Sequence, residues 1–190
     1  MAELIEIIKW KLAKYSKTTL KLTNLRRSAV MLIIYLKNER YYILLNKRSE
    51  KVEHHKGEIS FPGGAKDAED NTMLDVALRE TYEEMGISPK DIQVLGELSE
   101  VATNSGFVIN PFVATIPYPY RFQISSAEIT EVIEMPLDSL LDHTNHREEA
   151  WIYEESLVRG FMYAYNEHLV YGATARILGQ LVALLENDFR

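Results

Sequence analysis

Glu80, Glu83 and Glu84, within Arg79-Glu80-Thr81-Tyr82-Glu83-Glu84-Met85-Gly86-Ile87, are the residues whose type and spacing best suit chemistry. At about 100° per residue their carboxylates fall in one sector of a helix, and Leu74, Leu78, Thr81 and Met85 form an apolar stripe on roughly the opposite side. Like charges on neighbouring turns repel by roughly 0.2–0.5 kcal/mol per exposed pair, and by more when partly buried. A cluster kept out of bulk water therefore wants cations, and oxygen-only ligands point to Mg²⁺ or Mn²⁺. Glutamates at this spacing also decorate ordinary solvated helices. Context decides: Phe61-Pro62-Gly63-Gly64 precedes the helix, an acidic loop intervenes, Arg79 adjoins Glu80, and Gly86 ends the segment.

That set suits phosphoanhydride hydrolysis, which asks a protein to neutralise developing charge, align a water with phosphorus and hold the leaving group in line. A divalent ion on the glutamates would bridge diphosphate oxygens and lower the pKa of the attacking water. Gly63 and Gly64 would bring backbone close to metal and substrate, where a side chain would stand in the way.

The elements that must position these groups read as an α/β order. Glu3 to Tyr15 is an amphipathic helix through Leu4, Ile7, Ile8 and Leu12, its apolar face expected to pack within the chain rather than on a second subunit. Ser28 to Leu36 and Tyr41 to Leu45 read as strands joined around Asn38 and Glu39, followed by a short strand at Ile59 to Phe61. The carboxylate helix spans Thr72 to Met85. Strands are expected near Ile92 to Glu100, Val108 to Ile116, Arg121 to Ile124, Ile129 to Glu134, Ala150 to Tyr153 and Leu157 to Tyr163. Pro136 opens a short helix to Leu141, and Ala173 to Leu185 closes the chain with an apolar face of Ile177, Leu178, Leu181, Val182 and Leu185.

Composition narrows the function classes. The 190 residues, with no repeat or linker, suit one domain over 1–190, residues 1–22 forming a helical extension. No run approaches the ~20 apolar residues of a membrane span, and the N-terminus lacks a signal-peptide layout, so a cytoplasmic protein without membrane contact is expected. A net charge of −7 argues against nucleic acid as partner. An anionic substrate would need bound ions or bases such as Arg26, Arg27, Lys47, Arg48, Lys51 and Lys56. The absence of cysteine excludes thiolate metal sites, and His54-His55 reads as an exposed pair.

Residues 64–87 resemble the Nudix box, G-x5-E-x7-R-E-U-x-E-E-x-G-U. Thr81 stands at the first aliphatic position, Asp70 stands in place of the first Glu, and one extra residue separates it from Arg79. Upstream, Leu44-Leu45-Asn46-Lys47-Arg48-Ser49, Gly57 and Phe61-Pro62-Gly63-Gly64 resemble the added signature of the coenzyme A pyrophosphatase branch, with Asn46 replacing Thr and Glu53 replacing Arg. Thr103-Asn104-Ser105-Gly106-Phe107, Asn110-Pro111-Phe112-Val113, Glu128 to Val132 with Met135-Pro136-Leu137, and Tyr171 to Arg176 also look like landmarks of that branch.

The resemblance implies an α/β/α sandwich with a mixed sheet. It implies Glu80, Glu83, Glu84 and the Gly64 carbonyl as metal ligands, with Arg79 orienting the glutamates. Catalysis would rest on Glu83, Glu80, Arg79 and Glu128; Glu83 and Glu128 are candidates for the general base, with Glu100 behind them. Arg48, Gly63, Gly64 and Gly106 would meet the substrate. The implied substrate is coenzyme A or a derivative, split to 3′,5′-adenosine diphosphate and 4′-phosphopantetheine or its acylated form. ADP-ribose, NADH, a dinucleotide or a nucleotide sugar is the alternative, and a non-catalytic nucleotide-binding module a third reading. The protomer is expected to be a monomer or a homodimer.

Overall fold

In the computed structural model, residues 3–50, 56–153 and 156–186 are described. Lys51, Glu53 and His54-His55 lie outside them. The chain runs α1 (Glu3–Lys14), β1 (Arg26–Lys37), β2 (Arg40–Arg48), β3 (Ile59–Ser60), β4 (Gly63–Ala65), α2 (Met73–Met85), β5 (Gln93–Glu97), β6 (Val101–Ala102), β7 (Phe107–Thr115), β8 (Ile129–Pro136), α3 (Leu137–Leu141), β9 (His146–Tyr153), β10 (Ser156–Tyr165), β11 (His168–Val170) and α4 (Gly172–Leu185).

β1 organises the molecule because its apolar run can be buried on both faces, which is what a central strand requires. It pairs antiparallel with β2 and β4 and parallel with β7, so the sheet is mixed. The strand path is β3-β2-β1-β7-β5, with β8 on β2 and β6 on β7. Side chains alternate between two cores. Ala29, Met31, Ile33 and Tyr35 meet Val76, Ala77 and Met85 of α2. Leu32 and Ile34 face the opposite way, toward Ile8 and Leu12 of α1 and Ile177, Leu178 and Leu181 of α4. The architecture is thus an α/β/α sandwich, as expected.

Helix α1 packs within the chain: Ile8 and Leu12 are buried, and Lys11 Nζ donates to the Leu184 carbonyl at 2.7 Å. β9, β10 and β11 form a separate three-stranded antiparallel sheet, and β9 is longer than Ala150 to Tyr153.

Several expected elements are corrected. Arg121 to Ile124 is not a strand. Gln123 N–H bonds the Met85 carbonyl and Ser125 N–H the Glu84 carbonyl, so the segment caps the end of α2 rather than joining a sheet. The strand expected from Ile92 to Glu100 runs only from Gln93 to Glu97: Leu98 N–H still bonds the Pro111 carbonyl of β7, but Glu100 N–H turns away to the Thr18 carbonyl. Three short strands have no counterpart among the expected elements: β4 through the glycine pair, β6 and β11.

Candidate active site

Helix α2 is fixed at both ends by its own sequence. Thr72 and Asp75 form a reciprocal capping box, and Gly86, at φ 68°, adopts the left-handed cap with its N–H on the Tyr82 carbonyl at 2.9 Å. The buried face holds Val76, Ala77, Thr81 and Met85, while Leu74 and Leu78 pack at its margin. The expected division into an apolar stripe and an opposite carboxylate sector is therefore incomplete. Side-chain exposure falls from 51% at Glu83 to 16% at Glu80 and 1% at Glu84, so the last carboxylate belongs to the buried face.

Burial of a carboxylate needs donors. Glu84 Oε2 accepts from Gly63 N–H at 3.1 Å and Asn46 Nδ2 at 3.0 Å, and Oε1 accepts from Arg48 Nη1 at 3.3 Å. Burial still pushes the Glu84 carboxyl up to about 7, the Gly63, Arg48 and Asn46 donors opposing it and the nearby Glu80 charge adding to it. Burial also raises Glu80, against the pull of Arg79, and the charges of Glu83 and Glu128 raise it further. Glu80, Glu84 and Glu128 thus crowd one region although they come from α2 and the loop before β8.

Arg79 is the hub of the exposed side. Its Nη1 reaches Glu80 Oε1 at 2.9 Å and Glu83 Oε2 at 3.0 Å. Its other face grips Asp70, Nε to Oδ1 at 3.1 Å and Nη2 to Oδ2 at 2.8 Å, and bonds the Ala65 carbonyl at 3.1 Å. Asp70, held well below the usual carboxylate range by that guanidinium, thereby ties the loop to the helix. The shorter acid in the box position still reaches its arginine.

The glycine turn is brought under the helix by β4. Gly63 and Gly64 pair with Val30 and Ala29 of β1. A Cβ on Gly64 would lie closer than 3.0 Å to the Glu80 carboxylate, so the turn and the glutamate share a space that only hydrogen keeps open. Two buried or half-buried carboxylates beside a glycine turn offer hard oxygens of the kind that suit a small divalent cation.

Other expected site residues fall as follows. Glu128 is half-buried, and its carbonyl accepts from Ser49 N–H at 2.7 Å. Arg48 points at Glu84, and its Nε is a buried donor that no described protein atom accepts. Gly106 sits in the turn between β6 and β7 at φ 87°, bonded to Thr103 and Arg26 and to no box residue. Glu100 is held by Leu20 N–H, Arg27 and Asn110, none of them a residue of the box. Among the described residues, Glu131, Glu167 and His168 have ligand atoms all within 4.8 Å of one another, with His168 Nε2 3.1 Å from Glu131 Oε1.

In the sequence Asn46 stands out only as a departure from a signature, and Ser60 does not stand out at all. The available signal was a lone amide following Ile43-Leu44-Leu45 in a strand, since a buried polar group must find partners.

The site is a carboxylate helix laid against a glycine turn, on a mixed sheet between two helical layers. The NUDIX domain profile matches residues 25–157. The Nudix hydrolase NudL of Pectobacterium atrosepticum, itself uncharacterized, is 34% identical over 162 residues, 85% of this chain and 84% of its own length. NudL of Photorhabdus laumondii is 33% identical over 158 residues, with 83% and 84% covered. Among solved structures, a MutT/nudix family protein from Enterococcus faecalis superposes with a TM-score of 0.59 at 18% identity, over 97% of this chain and 70% of that one. The NUDIX domain of Shewanella oneidensis NrtR, complexed with ADP ribose, gives 0.51 at 23% identity, over 74% and 87%. The chain belongs to the Nudix family and is a Nudix hydrolase.

Proposed function

We propose that this enzyme uses Mg²⁺ or Mn²⁺ to hydrolyse the diphosphate of coenzyme A or an acyl-coenzyme A. Water adds to one phosphorus and the bridging P–O bond breaks, giving 3′,5′-adenosine diphosphate and 4′-phosphopantetheine or its acyl derivative. The observation that carries the hydrolytic reading is the meeting of Glu80 and Glu84 with the Gly63-Gly64 turn. Glu80, Glu83, Glu84 and the Gly64 carbonyl would hold the ion, which supplies charge neutralisation and an acidified water.

In this reading Arg79 orients Glu80 and Glu83 through ion pairs, and Glu83 or Glu128 takes the proton of the attacking water. Arg48, Gly63, Gly64 and Gly106 are the proposed substrate contacts. The coenzyme A assignment rests on the Leu44 to Ser49 and Phe61 to Gly64 signature, whose two ends converge on Glu84 through Asn46, Arg48 and Gly63. Glu53 reverses a charge in that signature, which keeps ADP-ribose, NADH and nucleotide sugars as comparison substrates.

The test is steady-state hydrolysis of coenzyme A, ADP-ribose and NADH with each metal, for wild type, Glu83→Gln and Glu84→Gln. A kcat/KM preference for coenzyme A that collapses in both variants supports substrate and site together. Metal-dependent turnover without that preference removes coenzyme A but keeps the diphosphatase. Activity surviving both substitutions overturns the metal site.

A further inference from the structure

The side chain of Asn46 is fully buried on β2, where its residue pairs with Ser60 of β3 on one side and Val132 of β8 on the other. Its Nδ2 donates to Glu84 Oε2 at 3.0 Å, and its Oδ1 accepts from Ser60 Oγ at 2.7 Å. The orientation of this amide is set by chemistry. With the amide turned round and Glu84 ionised, the form that binds a metal, its oxygen would face the carboxylate, two acceptors without a proton between them. The Ser60 hydroxyl can serve the oxygen of the observed orientation.

The two oxygens of Glu84 are consequently unequal. Oε2 carries two short donors, Gly63 N–H at 3.1 Å and Asn46 Nδ2 at 3.0 Å, while Oε1 carries only the longer contact to Arg48 at 3.3 Å. A carboxylate pinned at one oxygen presents the other in a fixed direction, and partners behind a ligand set its orientation and affinity for a metal. We propose that Asn46 is a positioning residue for metal binding. It pins Oε2 of Glu84 so that Oε1 is offered to the ion, and Ser60 locks the amide that does the pinning. This rests on the proposed metal role of Glu84, and it adds two residues, Asn46 and Ser60, to which no site role has been given.

The experiment is titration of the full-length protein with Mn²⁺ alone, read by calorimetry and by the electron paramagnetic resonance signal of free Mn²⁺, with thermal unfolding recorded alongside. The variants are Asn46→Leu, Ser60→Ala, their double mutant, and Glu84→Gln as reference. The expected result is a Kd weakened about 10–100-fold by Asn46→Leu, in the range typical for loss of a group behind a metal ligand. Ser60→Ala is expected to weaken Kd by a smaller factor, and the double mutant to bind no more weakly than Asn46→Leu, because both changes remove the same constraint.

If Glu84→Gln loses Mn²⁺ affinity while folded Asn46→Leu binds as wild type does, the positioning role is overturned and the metal site stands. If Glu84→Gln binds as wild type does, the metal site falls and the positioning role falls with it. Should Asn46→Leu fail to fold, Ser60→Ala decides: unchanged affinity overturns the proposal, and weakened affinity at unchanged unfolding temperature supports it.

Discussion

Arg79 and Asp70 form a two-point ion pair, Nε to Oδ1 at 3.1 Å and Nη2 to Oδ2 at 2.8 Å, that joins the loop entering α2 to the middle of the helix. Asp70 is almost wholly buried while Arg79 keeps about a quarter of its side chain exposed. The same guanidinium touches Glu80 and Glu83, so the loop, the helix and two proposed ligands share one cation.

Removing Asp70 leaves a charge-assisted fork without its partner. Asp70→Ala is expected to destabilise the fold by about 2–3 kcal/mol, the scale of hydrogen bonds to charged groups in a partly buried setting. The urea midpoint should fall with little change in slope. Arg79→Lys keeps the charge but cannot grip Asp70, Ala65 and Glu80 together. It should lower kcat by about tenfold or more by the reasoning that one ångström of misplacement is costly in a catalytic constellation. A variant with wild-type kcat would remove Arg79 from the positioning role.

Gly63 and Gly64, though adjacent, should fail differently on substitution by alanine. At Gly63 a Cβ would meet backbone, the Ala29 carbonyl and Val30 Cα, closer than 3.0 Å, and backbone in a paired sheet cannot move aside. At Gly64 it would meet the carboxylate of Glu80, the free end of a side chain. Gly63→Ala is therefore expected to lower stability by a few kcal/mol, roughly the cost of overpacking. Gly64→Ala should keep the unfolding temperature within a few degrees yet weaken Mn²⁺ binding and lower kcat by about a hundredfold, the scale set by small misplacements of reacting groups. Equal thermal losses in the two variants would contradict the geometry.

The features most legible in the sequence were those written in local chemistry. Thr72 and Gly86 marked the ends of α2, and the apolar run from Ala29 to Tyr35 marked the central strand. What was hidden depends on neighbours. Gly63-Gly64-Ala65 has no β-forming side chains, and becomes a strand because the β1 edge supplies partners from Ser28 to Val30. Phe122 and Ile124 alternate like a strand, yet the open carbonyls at the end of α2 claim the adjacent Gln123 and Ser125 amides. Glu84 read as one of three equivalent glutamates; its burial follows from β2 and β4 approaching α2, and a helical projection contains no sheet.

Helix α1 is anchored by Ile8, fully buried, and by Leu12, which packs against Gly96 of β5. Ile8→Ala should cost about 2–5 kcal/mol through lost burial and the cavity left behind. Because Ile8 belongs to the core on the face of the sheet opposite α2, kcat and Mn²⁺ affinity at a temperature where the variant is folded should stay within about twofold, as expected of uncoupled sites. Denaturant unfolding and steady-state kinetics on the same preparation make the comparison. Loss of metal affinity in the folded variant would show that α1 shapes the site across the sheet.

Glu100 separates a structural carboxylate from a catalytic one. Burial would raise its pKa, but Arg27, Leu20 N–H and Asn110 outweigh this and hold it below its ordinary value of 4.5. Asp70 is likewise held below its ordinary 3.8, chiefly by Arg79. In the unfolded chain both groups protonate near those ordinary values, whereas the folded chain keeps them ionised to lower pH. Their contribution to stability is therefore complete above about pH 5 and drains away as pH falls through the lowered folded values, since the unfolded state then binds more protons. Glu100→Gln should cost about 1–3 kcal/mol at pH 7, the range for charge-assisted hydrogen bonds, and should make stability less steep between pH 5 and 3. If Glu100 has no part in the chemistry, kcat at pH 7 should stay within about threefold of wild type, the scale of indirect effects between separate sites. Urea midpoints across that pH range, paired with kcat of the folded variant, read both effects. An intact acid limb accompanied by a collapse of kcat would return Glu100 to the list of general bases and take the role from Glu83 and Glu128.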